Sequence, residues 1–502
     1  MSLVFERKGE YMNTFVNYMD NIKVTENGAT AHKSTTDAVY DLFAFGGAYR
    51  NRSDDDCIAL FTNAYNESPV LAMKCLFYLR DAREGQGERR FFRVCFKWLI
   101  ATDKKVASKL LPLIAEYGRW DDLIEVTYGT SLWDSAMVIV ADQLVYDLNN
   151  EDVSLCAKWL PSENASSAET KKRAAAVRRG LKMTPRLYRR ILSYLRRKIN
   201  IVESKMSAND WDSIEFDKLP SKAGMKYSHA FATREETSER YREFVNDKKT
   251  TVNASVAYPY EIVRALKDVN NKAQAAAMDK YWNNLPDYFN GTENSMMCVC
   301  DTSGSMTWSM GNVKPIDVAI SLSIYAAEYN RGEFANKFIT FSRNPQFVDI
   351  PEGDIYTKVL SIYSKSICED TNLEGVFDLL RRGCVNGHWL PEDMPKNLVI
   401  ISDMEINEGV QGLCWGAPDN AIMTLMESIR EGWKAEGLDD YFPNLVYWNV
   451  NARNNTILDL GDNVSYVSGC SPVLFEQVVS GKKGIDLMFD KLLSERYEKI
   501  SF

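Results

Sequence analysis

The 502-residue chain carries 60 Lys and Arg against 69 Asp and Glu, a formal net charge of −9, with 45% apolar and 26% charged residues. That composition excludes a disordered or fibrous chain, and at roughly 150 residues per domain it predicts two or three domains with cores of their own. The average hides a division: residues 1–294 hold 43 basic and 40 acidic residues, whereas residues 295–502 hold 17 and 29. The first part is therefore weakly basic and the second strongly acidic, and each is read separately.

The N-terminus, MSLVFERKGEYMNTF, has no apolar core of signal-peptide length, and no stretch reaches the roughly 18 apolar residues of a membrane span. Ten cysteines are scattered without a dense framework, the pattern of reduced thiols, so the expected location is cytoplasmic. Only His32, His229 and His388 are present, far apart in sequence, which gives little support to a histidine-built zinc site or a Ser-His-Asp triad.

From Asp37 to about Leu160 apolar residues recur at helical spacing in ALFTNAYNE, PVLAMKCLFYLRDA, RRFFRVCFKWLIA, SKLLPLIAEYG and WDDLIEVTYG. Short amphipathic helices joined by short turns predict a helical-repeat (HEAT-like) domain, with an irregular bundle as the plain alternative, since no strict period is found.

Between Lys171 and Lys198 stand twelve basic residues and no acidic one. They include Lys171, Lys172, Arg173, Arg178, Arg179, Lys182, Arg186, Arg189, Arg190 and Arg197. Thr184 followed by Pro185 predicts a helix start, with a capping hydroxyl and proline in the first turn. At about 100° per residue Arg186, Arg189, Arg190, Arg196 and Arg197 share one face, with Leu187, Tyr188, Ile191, Leu192, Tyr194, Leu195 and Ile199 opposite. The planar fork of arginine suits phosphate, so the expected ligand is a polyanion. The alternatives are a contact with the acidic C-terminal part and simple solvation.

In the C-terminal part an apolar run, Met296 to Cys300, ends in Asp301-Thr302-Ser303-Gly304-Ser305 and is followed by the amphipathic VKPIDVAISLSIYAAEYN. Further strands are predicted at 336–342, 396–403, 444–450 and 464–469, with helices between and a closing helix near Gly484 to Tyr497. This reads as an α/β doubly wound (Rossmann-like) sheet, whose ligands bind at the carboxyl ends of strands. Asp301, Ser303 and Ser305 aim three oxygens at one point, and Thr371 and Asp403 supply more from other loops. Oxygen donors of this kind suit Mg²⁺ or another small, hard divalent cation. Asp370 is the alternative to Thr371, and a capped strand-to-helix turn without metal is the plain reading of DTSGS.

These residues resemble the metal-ion-dependent adhesion site of von Willebrand factor A (vWA) domains. The likeness covers roughly residues 295–502 and implies that Asp301, Ser303, Ser305, Thr371 and Asp403 hold the ion. KCLFYLRDAREGQGERRFF, YGRWDDLI, AKWLPS, VESKMSANDWDSIEFDKLPSKAG and VSYVSGCSPVLFEQVV resemble a family of uncharacterised proteins, a domain of unknown function in which a helical half precedes a vWA domain. The architecture is similar to that of the Ro ribonucleoproteins, a TROVE ring of helical repeats plus vWA. That likeness implies a TROVE-like domain over 1–290, a vWA-like domain over 291–502, and small noncoding or structured RNA as partner.

The leading expectation is a non-enzymatic RNA-binding protein with a Mg²⁺-dependent interaction module. The competing expectation is a protein–protein assembly scaffold, in which a partner's carboxylate completes the metal shell and no nucleic acid is bound. An enzyme is less favoured. REGQGERR lacks the Gly-Lys-Ser/Thr ending of a phosphate loop, and Ser303 stands where an aspartyl phosphotransferase has its second Asp.

Overall fold

The computed structural model describes residues 21–25, 29–289, 295–309, 311, 313–365, 371–406, 425–454, 456–459, 461, 463–479, 482 and 484–502. A helix-rich part precedes an α/β part built on a mixed sheet of six strands.

The expected N-terminal helices form for local reasons. Asp54–Glu67 starts at Ser53, whose hydroxyl accepts from Asp56 N at 3.1 Å while the Asp56 carboxylate accepts from Ser53 N at 3.2 Å. Arg89–Thr102 buries Phe91, Phe92, Cys95, Phe96, Leu99 and Ile100, one stripe at helical spacing. SKLLPLIAEYG is not one helix. Lys104–Leu110 stops before Pro112, a 3₁₀ turn spans Leu111–Leu113, and Ile114–Tyr117 resumes, because proline lacks the N–H and its ring crowds the preceding turn.

Two short strands, β1 (Ile22–Val24) and β2 (Thr30–His32), form an antiparallel pair ahead of these helices. The large sheet comprises β3 (Met296–Asp301), β4 (Lys337–Phe341), β5 (Phe347–Asp349), β6 (Asn397–Ser402), β7 (Asn444–Asn449) and β8 (Val464–Ser468), in spatial order β5-β4-β3-β6-β7-β8. All neighbours are parallel except β4 and β5. Every residue of β3 and β6 is buried, as continuous apolar runs require of strands covered on both faces. Cys298 and Cys300 are buried, free thiols of β3, consistent with packing rather than redox chemistry. The chain runs outward in one direction from β3 to β4 and in the other from β6 to β7. The order thus reverses between β3 and β6, and the crevice at their carboxyl ends is where open α/β sheets bind ligands.

The helical part is fastened to this sheet at several points. The Ala38–Phe45 helix packs against β8, where Tyr466 N donates to Tyr40 Oη at 3.0 Å. Gly47 N donates to Ser468 Oγ at 3.0 Å, and a Cβ on Gly47 would stand 2.4 Å from the Ser468 carbonyl oxygen, so only glycine fits that approach. The last residues return to the helices. Arg496 donates to both oxygens of the fully buried Asp81, at 2.8 and 3.1 Å, and Tyr497 stacks on Tyr117 with centroids 5.7 Å apart. The expected closing helix ends at Leu492, and Glu495–Tyr497 is a separate 3₁₀ turn that makes this contact. Arg496→Ala is expected to lower stability by about 2 kcal/mol, because a buried carboxylate loses a charged, bidentate partner. Urea denaturation measures it, with the midpoint falling and the slope unchanged.

Among the described residues no helix is long and apolar enough to cross a membrane.

Candidate metal centre and basic helical surface

Asp301 closes β3 and Asp403 follows β6, so the parallel pairing of the two strands brings both carboxylates to one end of the sheet. Asp301 Oδ2 accepts from Ser402 Oγ at 2.5 Å, and Oδ1 accepts from Ser303 N at 2.8 Å. The hydroxyls of Ser303 and Ser305 lie 3.1 Å apart. Thr371 precedes the Leu373–Asn386 helix, and its hydroxyl donates to the Glu405 carbonyl at 3.2 Å, two residues beyond Asp403. Asp370 lies outside the described residues. Asp301 and Asp403 are 0% and 1% exposed.

Burial raises the pKa of Asp301, with the charge of Asp403 adding to it and the Ser402 and Ser303 hydrogen bonds opposing. Burial raises Asp403 as well, against the Ser305 hydroxyl, the Glu405 amide and Arg453. Asp403 Oδ2 is enclosed and accepts no hydrogen bond among the described residues; the Nη1 of Arg453 stands 3.6 Å from it. The donor set is thus two carboxylates and hydroxyls, all hard oxygens, with one oxygen unsatisfied. Such a set fits a small divalent cation whose remaining positions are filled by water or a partner's oxygen. No three His, Cys, Asp or Glu side chains converge among the described residues, so any ion here depends on the hydroxyls.

The basic segment forms two helices, Ala168–Gly180 and Pro185–Lys198, and Thr184 Oγ1 accepts from Leu187 N at 3.2 Å as its capping role requires. Lys171, Lys172, Arg179, Lys182, Arg186, Arg190 and Arg197 are exposed and enter no ion pair among the described residues. The other candidates are tied down. Arg173 pairs with Glu125 at 3.1 Å and lies 3.9 Å over the Tyr128 ring. Arg178 Nε donates to Glu163 at 2.7 Å, and Arg189, half exposed, reaches the same carboxylate at 3.4 Å. All described acidic partners of the segment, Glu125, Glu151, Glu163 and Glu169, belong to the helical part, and none comes from the acidic C-terminal part.

Three expectations for the second helix need correction. Arg196 does not face outward: it donates to the carbonyls of Ala157 at 2.9 Å and Leu160 at 2.8 Å and to Ser162 Oγ at 2.7 Å. The loop after the Cys156–Trp159 helix leaves carbonyls without helical donors, and this guanidinium supplies them. Tyr188 is core, its hydroxyl on the Pro161 carbonyl at 2.8 Å, but Tyr194 and Leu187 are 47% and 46% exposed. Measured from Arg186, Leu187 and Tyr194 lie at about 100° and 80°, closer to Arg190 at about 40° than to the buried Tyr188 at about 200°. Helical angle was thus the signal that places an aromatic ring beside the arginines.

Comparison with known families gives no activity. Residues 25–129 and 163–287 match a family model described as a domain of unknown function, DUF2828, and residues 295–495 match a second, also a domain of unknown function, DUF7788. The chain is also similar to Uncharacterized protein L728 of Acanthamoeba polyphaga mimivirus, 29% identical over 511 residues that cover 93% of this chain and 86% of that protein.

Proposed function

We propose that this is a non-enzymatic RNA-binding protein of two parts. A helical domain resembling the TROVE ring of the Ro ribonucleoproteins contacts RNA phosphates, and a vWA-like domain holds Mg²⁺ at Asp301, Ser303, Ser305, Thr371 and Asp403. The observation that carries the reading is the set of exposed cations from Lys171 to Arg197, on two consecutive helices and the turn between them, with no acidic residue in that stretch and, among the described residues, no ion-pair partner from the acidic part of the chain. Seven such charges on one stretch attract a polyanion, and guanidinium groups bind its phosphates two bonds at a time. Tyr194, exposed between Arg190 and Arg197 along the same helix, offers a base a stacking surface.

The test is a titration of fluorescent single-stranded RNA with the full chain at several salt concentrations. Arg186→Gln/Arg190→Gln/Arg197→Gln is expected to weaken binding by about tenfold or more and to lower the log–log salt slope by about 2, roughly 0.7 per lost phosphate contact. Tyr194→Ala is expected to weaken binding by about 1–3 kcal/mol with the slope unchanged. Equal affinity of wild type and the triple variant rejects the site.

A second reading has one observation of its own. Trp308, just after the DTSGS loop, is 67% exposed, and a large exposed ring beside an incomplete donor set suits a protein partner that brings a carboxylate. In that scaffold reading EDTA releases a protein and no RNA co-purifies.

A further inference from the structure

Two carboxylates buried side by side are costly unless a positive charge stands against them. Arg453, in the loop after β7, supplies one. Its Nη1 lies 3.6 Å from Asp403 Oδ2, the oxygen that accepts no hydrogen bond among the described residues. That separation is beyond hydrogen-bonding range, so the guanidinium offsets the charge of Asp403 without filling its lone pairs. On its other side the guanidinium carbon lies 5.5 Å from the centre of the exposed Trp308 ring. The loop itself is held by the helical part: Ala452 N donates to the Ala48 carbonyl at 3.1 Å, and Arg52 donates to the Arg453 carbonyl. Asn454 Nδ2 donates to Glu405 Oε1 at 3.1 Å, which ties the loop to the segment that follows Asp403. The backbone of Arg453 is thus fixed, while its side chain stays about one quarter exposed.

We propose that Arg453 is a resident counter-cation of the Asp301–Asp403 pair, which a divalent ion must displace, and that it thereby sets the affinity of the site. The inference rests on the metal reading above and adds a residue outside the five oxygen donors. Without the ion, the guanidinium offsets one of the two negative charges. An ion held by Asp301 and Asp403 would repel the guanidinium, whose side chain is already about one quarter exposed and could turn toward solvent. Both effects oppose binding, the first by stabilising the metal-free state and the second by like-charge repulsion in the bound one.

Calorimetric titration of the full chain with Mn²⁺ tests this. Arg453→Gln is expected to bind about tenfold more tightly than wild type, and Arg453→Lys, which keeps the charge, to remain close to wild type. Equal or weaker binding by Arg453→Gln overturns the inference while leaving the metal site standing. Absence of Mn²⁺ binding in both wild type and Arg453→Gln overturns the metal reading itself, and the inference with it. The contacts of the Arg453 backbone survive the substitution, and Arg453→Met serves as a second neutral variant, with circular dichroism confirming the fold of each.

Discussion

Asp301→Asn is expected to remove divalent-cation binding, weakening it by at least about 100-fold, while the metal-free protein keeps or gains stability. The substitution retains the shape of the side chain and an acceptor for the Ser303 amide, but halves the negative charge available to the ion. In the metal-free protein it removes a carboxyl whose charged form is disfavoured by burial and by Asp403, so no loss of stability follows. Thermal melting with and without Mg²⁺ separates the two effects. Wild type gains melting temperature with the ion and the variant does not. A gain of the same size in Asp301→Asn contradicts the assignment.

The largest expected loss of stability comes from a residue with no part in either proposed site. Asp122 is fully buried: Oδ2 accepts from Arg80 Nε at 2.8 Å and Nη2 at 2.5 Å and from Arg119 N at 3.0 Å, and Oδ1 accepts from Arg93 Nε at 2.7 Å. Arg80 is 3% exposed, so Asp122→Ala leaves a buried guanidinium without its counter-charge. The expected cost is about 3–5 kcal/mol. Asp121→Ala, one residue away, removes the quarter-exposed partner of Arg93 and Arg119 and is expected to cost about 1 kcal/mol. Urea denaturation of the two variants side by side tests the ranking.

Asp122 and Asp403 show what could and could not be read from the sequence. The apolar runs that become β3 and β6 were legible because strands buried on both faces have a composition of their own. The DTSGS loop was legible because its oxygen donors follow such a run directly. β5, three residues long, is too short for any period to show, and so are β1 and β2. Arg80, Asp81 and Asp122 lie in the motifs KCLFYLRDAREGQGERRFF and YGRWDDLI and Arg93 directly follows the first, but their pairing joins distant segments and cannot be inferred from spacing along the chain. The inward turn of Arg196 has the same origin: its acceptors are carbonyls nearly forty residues upstream. Arg453 stands fifty residues past Asp403 in sequence and meets it only through the parallel pairing of β6 with β7.

The division of charge has a structural counterpart. Among the described residues the basic segment finds its ion pairs within the helical part, and its remaining cations are exposed. No ion pair among the described residues ties these cations to the acidic half, which leaves their charges facing solvent.

Ultraviolet cross-linking of the full chain to a single-stranded RNA, with mass spectrometry of the cross-linked peptides, tests the central claim most directly. The account predicts RNA-bearing peptides between Lys171 and Arg197, with Tyr194 among the modified residues, and their loss in the Arg186/Arg190/Arg197 variant. Cross-links confined to other parts of the chain, or none at all, contradict it.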